Sequence, residues 1–263
     1  MPRKTRLDTE LVRRGMVRSR SEAARAIEGG LVLVKGVPAG KAAALVDAAE
    51  PIAIAGPAAR FVSRGGDKLD RALERLRIAV AERRWADAGA STGGFTDCLL
   101  QRGATSVVAI DVGYGQLDWR LRNDPRVVVL ERTNVRSLSP SDLPWRVDGV
   151  VADLAFISLA LVLPALIAIA EPGADFVVLV KPQFELDRRS VGPRGVVRSA
   201  DAWRRAIRSV AAAGQDLGLG IAGACASPLP GPAGNREFFL HLRGDGTTLP
   251  EDAIDRAISE VPA

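Results

Sequence analysis

From residue 66 onward the chain alternates short, uninterrupted apolar runs with segments of helical character, and no other feature restricts its fold so sharply. The candidate strands are Trp85–Gly89, Ser106–Asp111, Arg126–Leu130, Val147–Asp153, Asp175–Lys181, Leu217–Ala226 and Glu237–Leu242. The central ones, Val107-Val-Ala-Ile, Val127-Val-Val-Leu and Phe176-Val-Val-Leu-Val, do not alternate apolar with polar residues. A strand with that pattern is covered on both faces, the situation of a parallel sheet flanked by helices. The expected fold is therefore α/β, with a mostly parallel seven-stranded Rossmann-like sheet over residues 66–263. At 263 residues the chain has room for a second, smaller domain.

That smaller domain occupies residues 1–55. Leu7, Leu11 and Val12 share one face of a first short helix. Ser21–Ile27 forms a second helix, stopped by Gly29-Gly30. Leu31–Pro38 reads as a strand and turn, and residues 45–54 hold another short strand. Residues 56–65 read as a linker. Charge divides the same way. Residues 1–60 carry 11 Lys+Arg against 6 Asp+Glu, and the remainder carries 25 of each, so the whole excess of +5 lies at the start. A basic module of short helices suits a polyanion, since each neutralised phosphate releases counterions. It suits phosphate contacts and RNA shape better than base-edge readout. Arg3, Lys4, Arg6, Arg13, Arg14, Arg18, Arg20 and Arg25 are the candidate RNA contacts here, joined by Arg64 at the entry to the second domain.

Several classes are disfavoured. Cys98 and Cys225 lie far apart and His241 is the one histidine, so a zinc site is not expected and a reducing cytoplasm is. The first residues are charged and lack the apolar core of a signal peptide. Leu154–Ala170 is apolar but contains Ser158 and Pro164 and follows Asp153, so it reads as a strand end running into a buried helix rather than a membrane span.

The first strand of the large domain runs into Asp87-Ala-Gly-Ala-Ser-Thr-Gly-Gly-Phe-Thr. Glycines at such a turn let backbone approach a ligand beside a helix N-terminus. The spacing is not the G-x-G-x-x-G of dinucleotide sites. An acid followed by Gly89, Gly93 and Gly94 suits S-adenosylmethionine, whose amino-acid end carries an ammonium group and no pyrophosphate. Asp87, Gly89, Ser91, Thr92, Gly93, Gly94 and Phe95 are the candidate contacts, although a glycine-rich turn also serves simply as a tight turn. Asp111 ends the second strand, where an acid accepts hydrogen bonds from a ribose diol. Asn134, after the third strand, is placed to face the adenine, and Asp153 ends the fourth. Lys181 ends the fifth, and a lysine on a buried strand is unfavourable unless paired or functional. Asp153, on the neighbouring strand, is a partner for it. Lys68 and Glu237, taken singly, read as surface residues.

Together these residues carry a resemblance. Arg6-Leu7-Asp8, Arg18-Ser19-Arg20 with Ala23, and Ile27–Gly36 resemble the S4 RNA-binding domain. Lys68, Asp153, Lys181 and Glu237 match the Lys-Asp-Lys-Glu tetrad of the FtsJ-like ribose 2′-O-methyltransferases. Nearly the whole chain is similar to the TlyA family of rRNA methyltransferases, also known as haemolysins. The segments concerned are 61–69, 87–97, Asp111–Leu117, Arg122–Val127, Ala152–Leu159, Lys181–Glu185 and Ser227–Phe238. The family commonly has Ser where this chain has Ala155.

The resemblance implies a class I methyltransferase that uses S-adenosylmethionine, with those four residues catalytic. The implied substrate is a cytidine 2′-hydroxyl in ribosomal RNA, in 16S and 23S rRNA for members with extended ends like these, with an effect on capreomycin-type antibiotics. No metal and no membrane partner are implied. Lys181 is the expected base, held by Asp153, with Lys68 and Glu237 positioning. The Pro182–Ser199 loop, with Arg188, Arg189, Arg194 and Arg198, either closes over RNA or is a solvated loop. Phe184 either stacks on a base or lies in the core. Residues 56–64 are a candidate hinge, and residues 251–260 a final helix. The rivals are a membrane-lysing protein, an RNA-binding module with a dead site, and an NAD(P)-dependent oxidoreductase.

Overall fold

The structure, a computed structural model, describes residues 4–17, 19–55, 60–187, 189–244 and 251–261. The chain divides into two compact units, Met1–Ala59 and Arg60–Ala263.

In the first unit β1 (Thr5–Arg6) leads directly into α1 (Leu7–Arg13), followed by α2 (Arg20–Glu28). Ser19 caps α2, its hydroxyl accepting from the Glu22 amide at 3.2 Å. Then come β2 (Val32–Val34), β3 (Val37–Pro38), β4 (Leu45–Val46) and β5 (Ile52–Ile54). β3, β2 and β5 form an antiparallel sheet, and β1 pairs with β4. Leu7, Leu11, Ala23, Ile27, Val32 and Val46 make its core. With so small a core, burial of every one of these side chains matters.

The second unit opens with α3 (Arg64–Leu76) and continues β6 (Arg84–Ala88), α4 (Gly94–Gln101), β7 (Ser106–Ile110), α5 (Trp119–Arg122), β8 (Val127–Leu130) and β9 (Val147–Ala152). It ends with α6 (Leu163–Ala168), β10 (Ala170–Val180), α7 (Pro182–Glu185), α8 (Ala200–Asp216), β11 (Gly220–Ala226), β12 (Phe238–Arg243) and α9 (Glu251–Ser259). Seven strands form one sheet in the order β11-β12-β10-β9-β6-β7-β8. The pairs from β10 through β8 are parallel, while β12 runs antiparallel to both β10 and β11. The apolar runs are buried on both faces, Val108 and Val150 under one helical layer and Val107 and Val151 under the other. The second half of the sheet is laid on the other side of β6, so the strand order reverses between β6 and β9. In open α/β sheets ligands bind at such a reversal, outside the carboxyl ends of the strands.

Two local readings change. The linker does not reach residue 65, because Arg64 and Gly65 already belong to α3, which Ser63 caps. Gly66 is buried so closely against Phe61 that a side chain there would collide with the ring. Residues 56–59 of the proposed hinge lie outside the described residues. The fifth strand is also longer than its apolar run. It starts at Ala170 beside Val147, and its pairing with β9 is irregular up to Asp175. The apolar stretch 154–170 becomes a loop, a single 3-10 turn at Leu159–Leu161 and the buried helix α6.

Candidate active site

Asp87 lies within β6, fully buried. Its Oδ2 accepts from the Thr96 amide at 2.8 Å and from the Thr96 hydroxyl at 2.6 Å. Its Oδ1 is buried with no hydrogen-bond partner. Burial pushes this carboxyl up to about 7 against the opposing Thr96 bonds, with Asp153 and Asp111 adding to the rise. Past Asp87 the backbone turns through Gly89 (φ +88°) and Gly93 (φ +94°). A Cβ on Gly89 would collide with the Asp153 carbonyl, and one on Gly93 with the Leu117 and Leu121 side chains. Ser91 and Thr92 sit exposed on the turn. Gly94 is the first residue of α4, and Phe95 turns inward with its ring 6.1 Å from that of Phe239.

Asp111 follows β7 and is held by backbone donors on both oxygens, Ser91 N–H at 2.8 Å and Gly113 N–H at 2.7 Å. A small cleft between the ends of β7 and β8 is lined by Ser91, Asp111, Gly113, Gln116 and Glu131. Asn134 is exposed, and its Oδ1 caps its own turn by accepting from the Arg136 amide at 3.0 Å. Its amide nitrogen is the part left for a ligand. An orphaned buried carboxylate oxygen, a turn closed to side chains and an anchored acid at the next strand end fit the ammonium and nucleoside ends of S-adenosylmethionine.

The four residues of the tetrad form two ion pairs. Lys181, just past β10, lies 2.5 Å from Asp153, just past β9. Lys68, on α3, lies 2.6 Å from Glu237, with side chains only 8% and 2% exposed. Because Val180 is in register with Phe238, Lys181 and Glu237 stand at the same end of neighbouring strands. Behind Glu237 the chain folds tightly, and a Cβ on Gly231 would come 2.5 Å from Glu237 Oε1. Asn235, also buried, accepts from Val197 N–H and donates to the Gly195 carbonyl, both at 2.8 Å.

The segments that follow Asp153 and Lys181 also meet each other. Phe156 is 90% exposed at φ +64°, with its ring 5.2 Å from Phe184, so Phe184 lies beside an exposed ring rather than in the core. Glu185 ties the two segments together, accepting from the Ser158 hydroxyl at 2.6 Å and from Leu159 N–H at 3.0 Å. Burial pushes its carboxyl up, against those two hydrogen bonds. Phe156 and Ser158 sit inside an apolar run, so no local pattern distinguishes them.

The arginines of the first unit differ in their surroundings. Asp8, buried, binds Arg6 through two hydrogen bonds (3.1 and 2.8 Å) and Arg20 at 3.1 Å, and Arg6 foremost holds its carboxyl well below the usual range. Glu10 takes Arg13 and Arg14. Arg14 also donates to the carbonyls of Glu50, Asp47 and Ala48, so it binds its own loop. Lys4, Arg25, Arg64 and Arg189 are exposed. Arg3, Arg18 and Arg188 lie outside the described residues.

A mostly parallel sheet whose carboxyl edge gathers an acid–glycine turn and two lysine–carboxylate pairs defines a methyltransferase-class α/β domain. In agreement, residues 61–244 match the FtsJ-like methyltransferase family and residues 5–52 match the S4 domain. A 16S/23S rRNA (cytidine-2′-O)-methyltransferase TlyA of Mycobacterium tuberculosis is 55% identical over 268 residues, covering all of both chains. Hemolysin A of Brachyspira hyodysenteriae is 35% identical over 90% of this chain and 99% of its own. A solved structure described as a hemolysin from Streptococcus thermophilus superposes with a TM-score of 0.78 at 38% identity, covering 99% of this chain and 97% of that one. The chain belongs to the TlyA family of FtsJ-like methyltransferases. Among the described residues no helix is long and apolar enough to cross a membrane.

Proposed function

We propose that the protein transfers a methyl group from S-adenosylmethionine to the 2′-oxygen of a cytidine ribose in ribosomal RNA, within ribosomal subunits in the cytoplasm. The observation that carries this reading is the meeting of two lysine–carboxylate pairs at the carboxyl edge of the sheet that also bears the Asp87–Phe95 turn. The Mycobacterium tuberculosis relative, named for both 16S and 23S rRNA, supports action on both subunits. Methylation there would bear on sensitivity to capreomycin-type antibiotics. Residues 1–55 recognise RNA through Lys4, Arg6, Arg20 and Arg25, the linker ends before α3 begins at Arg64, and the domain that starts there carries the reaction.

When bound, S-adenosylmethionine supplies a methyl group on a positively charged sulfur. Asp87, Gly89, Ser91, Thr92, Gly93, Gly94, Asp111 and Asn134 would hold it, Phe95 contributing backbone. A ribose hydroxyl is a poor nucleophile at neutral pH, so orientation and proton removal decide the rate. Lys181 Nζ takes the hydroxyl proton as a neutral amine, the extra proton of its ammonium form having passed to solvent before the ribose is bound. Asp153 aims that nitrogen at 2.5 Å. Lys68, fixed by Glu237, places a second donor toward the ribose and shields the site from water.

The test is incubation with tritiated S-adenosylmethionine and unmodified 30S and 50S subunits, beside Lys181→Ala. Label at one ribose that resists alkali, with the wild type alone, is the expected outcome. Binding of S-adenosylmethionine without label on either subunit would overturn the proposal.

A further inference from the structure

Between Lys181 and Ser199 the chain makes an excursion that the tetrad does not use. Its second half, with the first turn of α8, encloses an open cleft of about 510 Å³ lined by Ser190, Gly192, Arg194, Val196, Arg198 and Ser199. Arg194 and Arg198 are exposed and have no carboxylate partner among the described residues. That sets them apart from most arginines of this unit, such as Arg102 with Asp70, Arg122 with Glu131 and Arg204 with Asp201 and Asp255. Two guanidinium groups in one cleft without counter-charge favour an anion, and their planar forks suit phosphate oxygens.

The cleft is also tied to the catalytic centre. Gly192 N–H closes the loop on the Val196 carbonyl at 3.2 Å. Asn235 holds Gly195 and Val197 from inside, and the Trp203 indole donates to the Val197 carbonyl at 2.9 Å. Asn235 stands two residues before Glu237. At its other end the excursion starts from Lys181 through α7, which Glu185 locks to Ser158 and Leu159. An anion in the cleft is thereby held in fixed relation to both ion pairs. None of the large apolar side chains exposed on the described surface lies between residues 189 and 202. A face that enters a lipid surface needs such side chains, so the chemistry favours a nucleic-acid phosphate over a phospholipid headgroup.

We propose that this cleft grips a phosphodiester of the rRNA substrate and sets the register of the strand, so that one ribose lies at Lys181. This rests on the rRNA 2′-O-methyltransferase reading. Arg194 and Arg198 are binding residues, distinct from the residues that touch the reacting atoms.

The test compares wild type, Arg194→Ala/Arg198→Ala and Arg194→Lys/Arg198→Lys in steady-state methylation of 30S and 50S subunits across a salt series. The alanine pair raises KM for a subunit about tenfold and flattens the salt dependence of log kcat/KM by about 0.7–0.9, the share of the one phosphate the two arginines grip. The lysine pair recovers most of that loss, and calorimetric affinity for S-adenosylmethionine is the same in all three. Unchanged KM and salt slope would overturn the inference. So would a loss confined to kcat, which marks a structural role, or lost binding to phosphatidylglycerol vesicles with subunit KM intact. A wild type that labels neither subunit overturns the functional reading and this inference together, whereas normal label with an unaltered alanine pair overturns this inference alone.

Discussion

Removing either member of the Lys68–Glu237 pair should destabilise the catalytic unit far more than removing both. The pair is closed at 2.6 Å with side chains 8% and 2% exposed, so each charge has lost nearly all its water. Lys68→Met leaves the Glu237 carboxylate buried without a cation, and Glu237→Leu leaves the ammonium buried without an anion. An orphaned buried charge costs about 3–5 kcal/mol, whereas replacing a whole buried pair by apolar residues of similar volume is often neutral. For a unit of this size about 1 kcal/mol moves Tm by about 2–4 °C, so each single variant should melt about 6–20 °C low. Lys68→Met/Glu237→Leu should fall within about 1 kcal/mol of wild type, a coupling well above that of independent sites.

Urea denaturation followed by tryptophan fluorescence is the assay. Trp85, Trp119, Trp145 and Trp203, the chain's four tryptophans, all lie in the second unit, so the signal reports that unit alone. Methyl transfer to ribosomal subunits is measured beside it and should be lost in all three variants. Stability and activity then part company in the double variant. Single variants that cost under about 1 kcal/mol, or a double variant as unstable as the sum of the two, would refute the claim that this pair is a desolvated charge pair. A double variant that still methylates would refute its catalytic role.

Three further outcomes follow from the geometry. Gly89→Ala puts a side chain against the Asp153 carbonyl at φ +88°, and should cost more than about 1–3 kcal/mol and abolish S-adenosylmethionine binding in calorimetry; normal binding would place the cofactor elsewhere. Asp87 keeps its proton up to about 7 in the folded chain against an ordinary 3.8. Between those values the unfolded state binds fewer protons, so stability falls as pH rises, by about 4 kcal/mol in all, and levels off above. Asp87→Asn should remove that slope, gaining stability at pH 8 while losing cofactor affinity, and an unchanged slope in urea titrations at pH 5 and pH 8 would sink the reasoning. Arg14→Ala should lower the melting temperature of the first unit, because it unties three carbonyls, whereas Arg25→Ala should weaken RNA binding and leave melting alone.

What could be read in advance was what local pattern decides. Val107–Ile110 and Val127–Leu130 became adjacent parallel strands because only a doubly covered sheet hides unbroken apolar runs. Lys181 was legible as a lysine in a place that tolerates none unpaired, and its partner Asp153 by neighbouring strands. Lys68 and Glu237 were not, except through family resemblance: 169 residues separate them, and each sits in an ordinary polar context. Nor could arginines that staple their own loop, like Arg14, be told from free ones like Arg25, because the difference lies in carbonyls 33–36 residues away.

Glu237 shows why such residues resist sequence reasoning. The acids read with ease, Asp111 and Asp153, follow their strands, where parallel topology delivers them to the carboxyl edge. Glu237 precedes its strand. In a parallel sheet that position lies at the opposite edge, far from any ligand. It reaches the site only because β12 runs antiparallel to β10, Phe238 beside Val180 and Arg243 beside Asp175. The direction of one strand thus decides whether this carboxylate is a surface group or the partner of Lys68. That direction is set by the packing of the whole sheet and not by any residue near Glu237, since Phe238-Phe-Leu, the apolar start of the strand, would fill a parallel position equally well.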